Sequence, residues 1–308
     1  MSKQKTVIIS GANGYFGAIA TQYFQTQGWR VLQATRQVNA DIYFDLDLPE
    51  AFAQKRISTE IDVFIHAAAA HEVACRHQPY RSIYQNIVGT KAALDFCVAN
   101  QIPKFIYLST FHVFGYPEGK IDENTPPLPK NDYGLSNLQA EDYVRMYNRE
   151  HKINATVLRP SNFFGIPADL EHFQRWSLTP LAFCQEAVAS HQIVLKTPGF
   201  QQRNFISILD ICAVIEKISS KQVNLPLLHL YGNDTFSIRD LAQLVQKVMR
   251  EHFHQQVVLI IPDGSQKETG FSYGSRYLAE IYQPNQYLED FIRSFCKKLL
   301  NHDSIIYS

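Results

Sequence analysis

Three glycines three residues apart, Gly11, Gly14 and Gly17, follow the β-branched run Thr6-Val-Ile-Ile-Ser10. Val7, Ile8 and Ile9 lack polar alternation, which predicts a strand buried on both faces of a parallel sheet. A helix is predicted from about Tyr15 to Gln27, so the glycines occupy a strand-to-helix turn. Gly11 permits the tight turn, Gly14 lets a ligand approach the backbone, and Gly17 lets the helix pack close to the strand. The free N–H groups and positive dipole end at the start of that helix suit a pyrophosphate. Gly11, Asn13, Gly14, Tyr15, Phe16 and Gly17 thus form a candidate dinucleotide crook, in the variant spacing G-x-x-G-x-x-G rather than G-x-G-x-x-G.

Cofactor preference is read where the second predicted strand, Arg30 to Thr35, ends. A free ribose 2′-hydroxyl is usually held by an acidic residue about 20 positions beyond the glycines, whereas a 2′-phosphate calls for arginine. Here the strand ends Ala34-Thr35-Arg36 without a carboxylate. The planar fork of Arg36 suits a phosphate, so NADP is expected in preference to NAD. Another predicted strand, Asp62 to His66, runs into Ala67-Ala-Ala-Ala70. Those small residues let a flat ligand lie against the backbone, making Ala67, Ala68 and Ala69 candidate cofactor contacts.

Positioning these groups requires alternating strands and helices. Beyond the strands already named, helices are predicted over Pro49–Arg56, Ile83–Asn100 and Tyr133 to about Glu150, and strands over Lys104–Ser109 and Ala155–Arg159. Such alternation predicts an α/β protein with a doubly wound parallel sheet. Beyond Pro160 the alternation loosens. Residues 161–200 carry short helix signals, Arg203–Asp210 reads as a strand end and turn, and Ile211–Ser219 as a helix. Leu227–Tyr231 and Val257–Ile261 read as strands, Ile238–Phe253 as an amphipathic helix, and Lys297–Ser308 as a helix end and tail. The expected layout is a dinucleotide-binding domain over 1–160, with segments of about 200–232 returning to it, and a smaller substrate lobe from 161–200 and 233–308.

With 308 residues the chain can bury a large core, and its 29 basic and 29 acidic residues give a formal net charge of zero. No basic field argues for nucleic acid or an anionic membrane. The first strand is reached without a charged and apolar leader, and every apolar run is short of a membrane span, so a soluble cytoplasmic protein is expected. The five cysteines are scattered without a C-x-x-C, and the eleven histidines lack ligand spacing, so no metal site is expected.

Six stretches, in order, resemble the extended short-chain dehydrogenase/reductase superfamily, the branch of NAD-dependent sugar-nucleotide epimerases, dehydratases and reductases. They are Asp62-Val-Phe-Ile-His-Ala-Ala68, Asn86-Ile-Val-Gly-Thr90, Ser109-Thr-Phe-His-Val-Phe-Gly115, Tyr133-Gly-Leu-Ser-Asn137, Arg159-Pro-Ser-Asn-Phe-Phe-Gly165 and Arg203-Asn-Phe-Ile-Ser-Ile-Leu-Asp210. The resemblance implies a Rossmann fold with a smaller C-terminal substrate lobe. It implies hydride transfer between a nicotinamide and a nucleotide-sugar, as 4-keto reduction or epimerisation. Tyr133 is then the acid/base at the sugar oxygen, Thr110 shares its hydrogen bond, and His112 is a possible second acid/base. Asp45, Leu46, Asn86 and Ser109 fall at cofactor positions, and His71, Asn162 and Arg203 at substrate positions. Helices 83–100 and 134–150 resemble the pair that forms a homodimer interface in relatives.

Two departures matter. Phe111-His112 replaces the Asp-Glu pair of the family's dehydratases, which disfavours water elimination. The Y-x-x-x-K pattern carries Asn137 in place of lysine. A free phenol has a pKa of about 10 and needs a nearby cation to act as a base. Asn137, one turn on, can reach toward Tyr133 and the nicotinamide ribose but brings no charge; Lys130 on the preceding loop is the other nearby cation. The alternative expectation is a catalytically degenerate NADP(H)-binding regulatory or partner-binding protein.

Overall fold

The computed structural model describes residues 3–116, 118–220, 225–265 and 270–302. The end of the expected tail, 303–308, lies outside them. The first half alternates as β1 (Thr6–Ser10), α1 (Tyr15–Thr26), β2 (Arg30–Thr35), β3 (Ile42–Tyr43), α2 (Pro49–Ala53), β4 (Val63–His66), α3 (Glu72–His77), α4 (Pro79–Ala99) and β5 (Lys104–Leu108). A single 3₁₀ turn at Phe111–Phe114 and β6 (Gly119–Ile121) lead to α5 (Asp132–Arg149) and β7 (Asn154–Pro160). The second half adds β8 (Asn162–Phe164), α6 (Thr179–Ser190), β9 (Gln192–Val194), β10 (Gln202–Ser207), α7 (Ile208–Ser220) and β11 (Leu227–Leu230). It closes with β12 (Asp234–Ser237), α8 (Ile238–Phe253), β13 (Val258–Ile260), β14 (Phe271–Tyr273), α9 (Leu278–Ile281) and α10 (Leu288–Leu300).

Seven parallel strands form the central sheet in the order β3-β2-β1-β4-β5-β7-β11, the Rossmann-type doubly wound arrangement expected. The unbroken apolar run of β1 is explained by its two faces. Val7 and Ile9 pack with Phe16, Ile19 and Phe24 of α1 and with Ile211 and Ile215 of α7. Ile8 packs on the opposite side with Phe52, Phe96, Ala140 and Val144 of α2, α4 and α5. Strand order reverses between β1 and β4, which opens a crevice beyond their carboxyl ends, where sheets of this kind bind ligands.

A second core holds the lobe together: Leu181, Cys184 and Val188 of α6, Leu241, Val245 and Val248 of α8, and Ile292 and Phe295 of α10. The α8 helix has the bounds read from its apolar period and starts with a capping box between Ser237 and Asp240. α7 and β11 return to the large sheet, whereas β10 pairs with β8 and β12 in a separate three-stranded sheet. Arg203–Asp210 is therefore a strand that passes directly into a helix rather than a strand end and turn. α4 begins at Pro79, four residues before the predicted start, because proline is well suited to a first helical turn. α2 stops at Ala53, short of Arg56, and the six-residue α3 has too few residues to show an apolar period.

A Cβ at position 17 would stand 2.1 Å from the Gly11 carbonyl oxygen and 2.7 Å from Ala12 Cα, so the first turn of α1 lies backbone to backbone on the turn that follows β1. Gly17→Ala must lift the helix, and overpacking of this kind costs about 1–3 kcal/mol. A lower urea midpoint with an unchanged slope is the expected result; an unaltered midpoint contradicts the close approach.

Candidate active site

The crook occupies the crevice. Gly11 has φ +69°, and a Cβ on it would lie 2.9 Å from Ala68 Cα and N, so the β1 and β4 loops also touch through backbone. Gly14 is the N-cap of α1, in extended conformation and with no side-chain cap. The amides of the first turn thus have no protein side chain capping them, as a pyrophosphate at a helix start requires. Tyr15 and Phe16 contribute backbone rather than side chains. The Tyr15 hydroxyl donates to Gly165 O at 2.7 Å, and Phe16 packs in the core edge-on to Phe163. Asn13 is exposed beside them.

Behind the crook runs a buried relay that has no motif in the sequence. Ser10 Oγ accepts from the amides of Ala67 at 3.1 Å and Ala68 at 3.2 Å, and lies 2.8 Å from His66 Nδ1. His66 Nε2 is 3.1 Å from Thr90 Oγ1, whose proton goes to Asn86 O. With the Thr90 proton so committed, His66 must donate from Nε2 and accept at Nδ1. Burial lowers the His66 pKa from 6.5 to about 3, so the ring stays neutral.

Several expected cofactor side chains are committed within the protein. Asn86 Oδ1 accepts from Ala70 N at 2.7 Å, and its Nδ2 donates to Ala70 O and Ser136 Oγ, which ties the alanine loop to α5. Ser109 Oγ donates to Glu141 Oε1 at 2.6 Å. Asp45 accepts from its own neighbours Asp47 N and Tyr43 Oη, and Leu46 lies over Gly89 of α4. Ala67 and Ala68 are half-buried, Ala69 is exposed, and Arg36 stands exposed at the end of β2 with no ion pair among the described residues.

Thr110, His112 and Tyr133 come together, held by two caps. Thr110 caps the 3₁₀ turn: its Oγ1 accepts from His112 N at 3.1 Å, and its hydroxyl is near enough to the Tyr133 phenol to favour the phenolate. Asn131 caps α5 by accepting from Gly134 N at 2.9 Å, which sets Tyr133 in the first turn. A Cβ on Gly134 would stand 2.6 Å from His112 O, so the helix start and the turn meet through backbone. The His112 and Tyr133 rings lie edge-to-face with centroids 5.6 Å apart. Burial pushes the Tyr133 phenol up, opposed by the neighbouring Thr110 hydroxyl and by the charge of Arg175. Burial pushes His112 down, reinforced by Arg203 and Lys130 and opposed by Glu72.

Asn137 departs from its expected role. Its Oδ1 accepts from the Tyr107 hydroxyl at 2.9 Å and its Nδ2 donates to the Tyr133 backbone carbonyl at 2.8 Å, so both ends of the amide are engaged within the protein. Lys130 does not replace the missing lysine either: its Nζ sits 3.9 Å over the Tyr116 ring. One helical turn beyond, Glu141 is completely buried, with Arg159 Nε at 2.9 Å and Nη2 at 2.6 Å, and Arg145 beside it. Glu141 and Tyr107 share a face with known candidates, two turns along α5 and on the neighbouring strand, but nothing in the sequence marks them.

Of the residues expected at substrate positions, His71 caps α3, its Nδ1 3.3 Å from Ala74 N, and burial lowers its pKa. Asn162 Nδ2 donates to Asn204 O at 3.2 Å. Arg203 is half-buried, donates to Gln201 Oε1 at 2.8 Å, and has its pKa lowered by burial. Asp210 does not pair with it, but accepts from the Tyr282 hydroxyl and the amides of Asn285 and Gln286.

A glycine crook at the strand reversal, uncapped helix amides and a tyrosine facing a hydroxyl define a dinucleotide-binding protein of the doubly wound class. Residues 7–231 match the NAD dependent epimerase/dehydratase family, and the chain belongs to that family, whose members depend on a nicotinamide dinucleotide. A dTDP-D-glucose 4,6-dehydratase of Bos taurus is 26% identical over 203 residues, covering 65% of this chain and 56% of that protein. The chain thus matches only about half the length of that curated relative. RMD from Pseudomonas aeruginosa, solved with NADPH, superimposes with TM-score 0.82 at 17% identity over 97% of this chain and 98% of its own. A UDP-glucose 4-epimerase from Thermotoga maritima, solved with UDP-glucose, gives 0.80 at 17% identity over 97% and 100%. Among the described residues no helix is long and apolar enough to cross a membrane.

The depressed His66 pKa fixes a pH dependence. Below 6.5 the unfolded chain binds a proton that the folded ring refuses until about 3, so this contribution to stability is complete above 6.5 and lost as pH falls through that window. Urea midpoints should drop between those limits, and His66→Gln should flatten the slope; an unchanged slope contradicts a buried neutral ring.

Proposed function

We propose that the protein is an NADP-preferring oxidoreductase acting on a keto or hydroxyl carbon of a nucleotide-linked sugar, as a 4-keto reductase or an epimerase. The observation that carries this reading is the clustering of Tyr133 with Thr110 and His112, the His112 ring lying edge-to-face 5.6 Å from the phenol ring. A nicotinamide dinucleotide bound in the crook supplies the hydride chemistry. Tyr133 gives or takes the proton at the sugar oxygen, and Thr110 holds that oxygen through the shared hydrogen bond. His112, kept neutral by burial and by the cations of Arg203 and Lys130, takes a proton from the carbon beside a ketone. Arg203, Asn162 and His71 hold the diphosphate and ribose of the substrate, and Arg36 the cofactor's 2′-phosphate. Exposed Tyr84 and Leu135 on α4 and α5 support a homodimer through that helix pair.

The buried amide at 137 favours one second reading, an NADP(H)-binding regulator without turnover. The two readings separate on Tyr133→Phe, measured with a panel of nucleotide-sugars. An enzyme should lose turnover by about 10²–10⁴-fold with NADPH affinity unchanged; full activity in the variant removes Tyr133 from the chemistry. In a silent parent, a gain from Asn137→Lys with Tyr107→Phe supports the regulator.

Cofactor preference has its own readout in melting temperature. NADPH should raise it more than NADH does, since selective binding stabilises the folded state, and Arg36→Ser should erase the difference. Equal shifts in the parent contradict the preference.

A further inference from the structure

We propose that His229 is a positioning residue for this reaction: stacked on Tyr273, it forms the platform that holds the 3₁₀ turn, and with it Thr110 and His112, beside Tyr133. The inference rests on the reading that His112 and Tyr133 move protons.

The turn reaches this platform through the two phenylalanines that flank His112. Phe111 lies edge-on to the Tyr273 ring at 5.7 Å and is itself 5.0 Å from the His112 ring. Phe114 lies edge-on to His229 at 5.4 Å and to Tyr273 at 6.3 Å, with the Arg159 guanidinium 5.1 Å from its ring. Phe111, Val113, Phe114, Ile121 and Tyr273 make a small core of their own, distinct from the two that flank the sheet and the one in the lobe. The placement of His112 therefore depends on what lies under those two phenyl rings.

His229 and Tyr273 come from separate strands, β11 and β14, yet their ring planes are 9° apart with centroids at 5.0 Å. Glu123, just beyond β6, sets that register. Its carboxylate accepts from His229 N at 2.9 Å, from Arg276 N at 2.9 Å and from the Ser275 hydroxyl. The Tyr273 hydroxyl donates to Arg159 O at 2.8 Å, and Arg159 faces His229 in the β7–β11 pairing. Loss of the imidazole thus leaves Tyr273 tethered but removes the surface under Phe114.

The imidazole serves as an aromatic plate. It is fully buried, and neither ring nitrogen has a hydrogen-bond partner among the described residues. Burial lowers its pKa from 6.5 to about 4, opposed by Glu123, Asp122 and the Gly274 backbone and reinforced by Arg159, so the ring is neutral at working pH. A phenyl ring can fill the same space without losing a hydrogen bond, whereas leucine keeps the apolar burial but not the flat face.

The test reads the His112 imidazole by nuclear magnetic resonance as pH is varied, with His112→Asn to assign its signals, and turnover with NADPH on a panel of nucleotide-sugars. His229→Leu should raise the His112 midpoint toward 6.5, because a loosened turn admits water, while the charges of Glu72, Arg203 and Lys130 that bear on it are unchanged. It should lower turnover by about 10–100-fold with substrate KM and NADPH affinity unchanged. His229→Phe should restore most of both. Where the leucine variant does not fold, Phe114→Leu removes the same contact from the side of the turn and should raise the same midpoint. A midpoint that stays put in the leucine variant, or moves as far in His229→Phe, overturns the proposal even if turnover falls. A midpoint that moves only in the leucine variant, in protein with no turnover on any nucleotide-sugar, upholds His229 and overturns the oxidoreductase reading.

Discussion

The carboxylate of Glu141, sealed from water, joins three elements that the site needs in fixed register. It takes two hydrogen bonds from Arg159 of β7, one from Ser109 at the end of β5 and one from Arg145 of its own helix. Tyr133, Asn137 and Glu141 follow one another at four-residue intervals along one face of α5, so fixing the last sets the rotation and height of the first. Ser109 immediately precedes Thr110, and the same carboxylate therefore holds both the residue before Thr110 and the helix that carries Tyr133. Removing one side of a buried pair like this leaves an uncompensated charge worth about 3–5 kcal/mol. Its return is alignment more than net stability.

Burial shifts Tyr133 and His112 in opposite senses. It disfavours the phenolate of Tyr133 and the imidazolium of His112, so both rest as neutral rings in contact. Two neutral groups with opposed shifts can divide donor and acceptor duties at one substrate. The zero net charge of the chain hides this local asymmetry, in which Arg175, Arg203 and Lys130 bear on a site with Glu72 as its acidic neighbour.

The central sheet and the crook were legible because they depend on local rules: unalternated apolar strands, and glycines where a side chain would collide with backbone. Tyr133, Thr110 and His112 were legible as motif positions, and the caps at Thr110 and Asn131 explain how they meet. The relay through Ser10, His66 and Thr90 was not legible. It joins residues 56 and 24 positions apart, which only the strand order brings together. The sequence told that lysine is absent from position 137; it could not tell that the amide would be turned onto Tyr107.

Asn137 and Tyr107 satisfy each other where water does not reach, and neither can be changed without stranding its partner. A single substitution of Asn137 by lysine would strip the Tyr107 hydroxyl of its acceptor and bury an ammonium beside it, which destabilises the fold. The amide at 137 is thus held in place by its partner on β5: a substitution at either residue is tolerated best when the other changes with it.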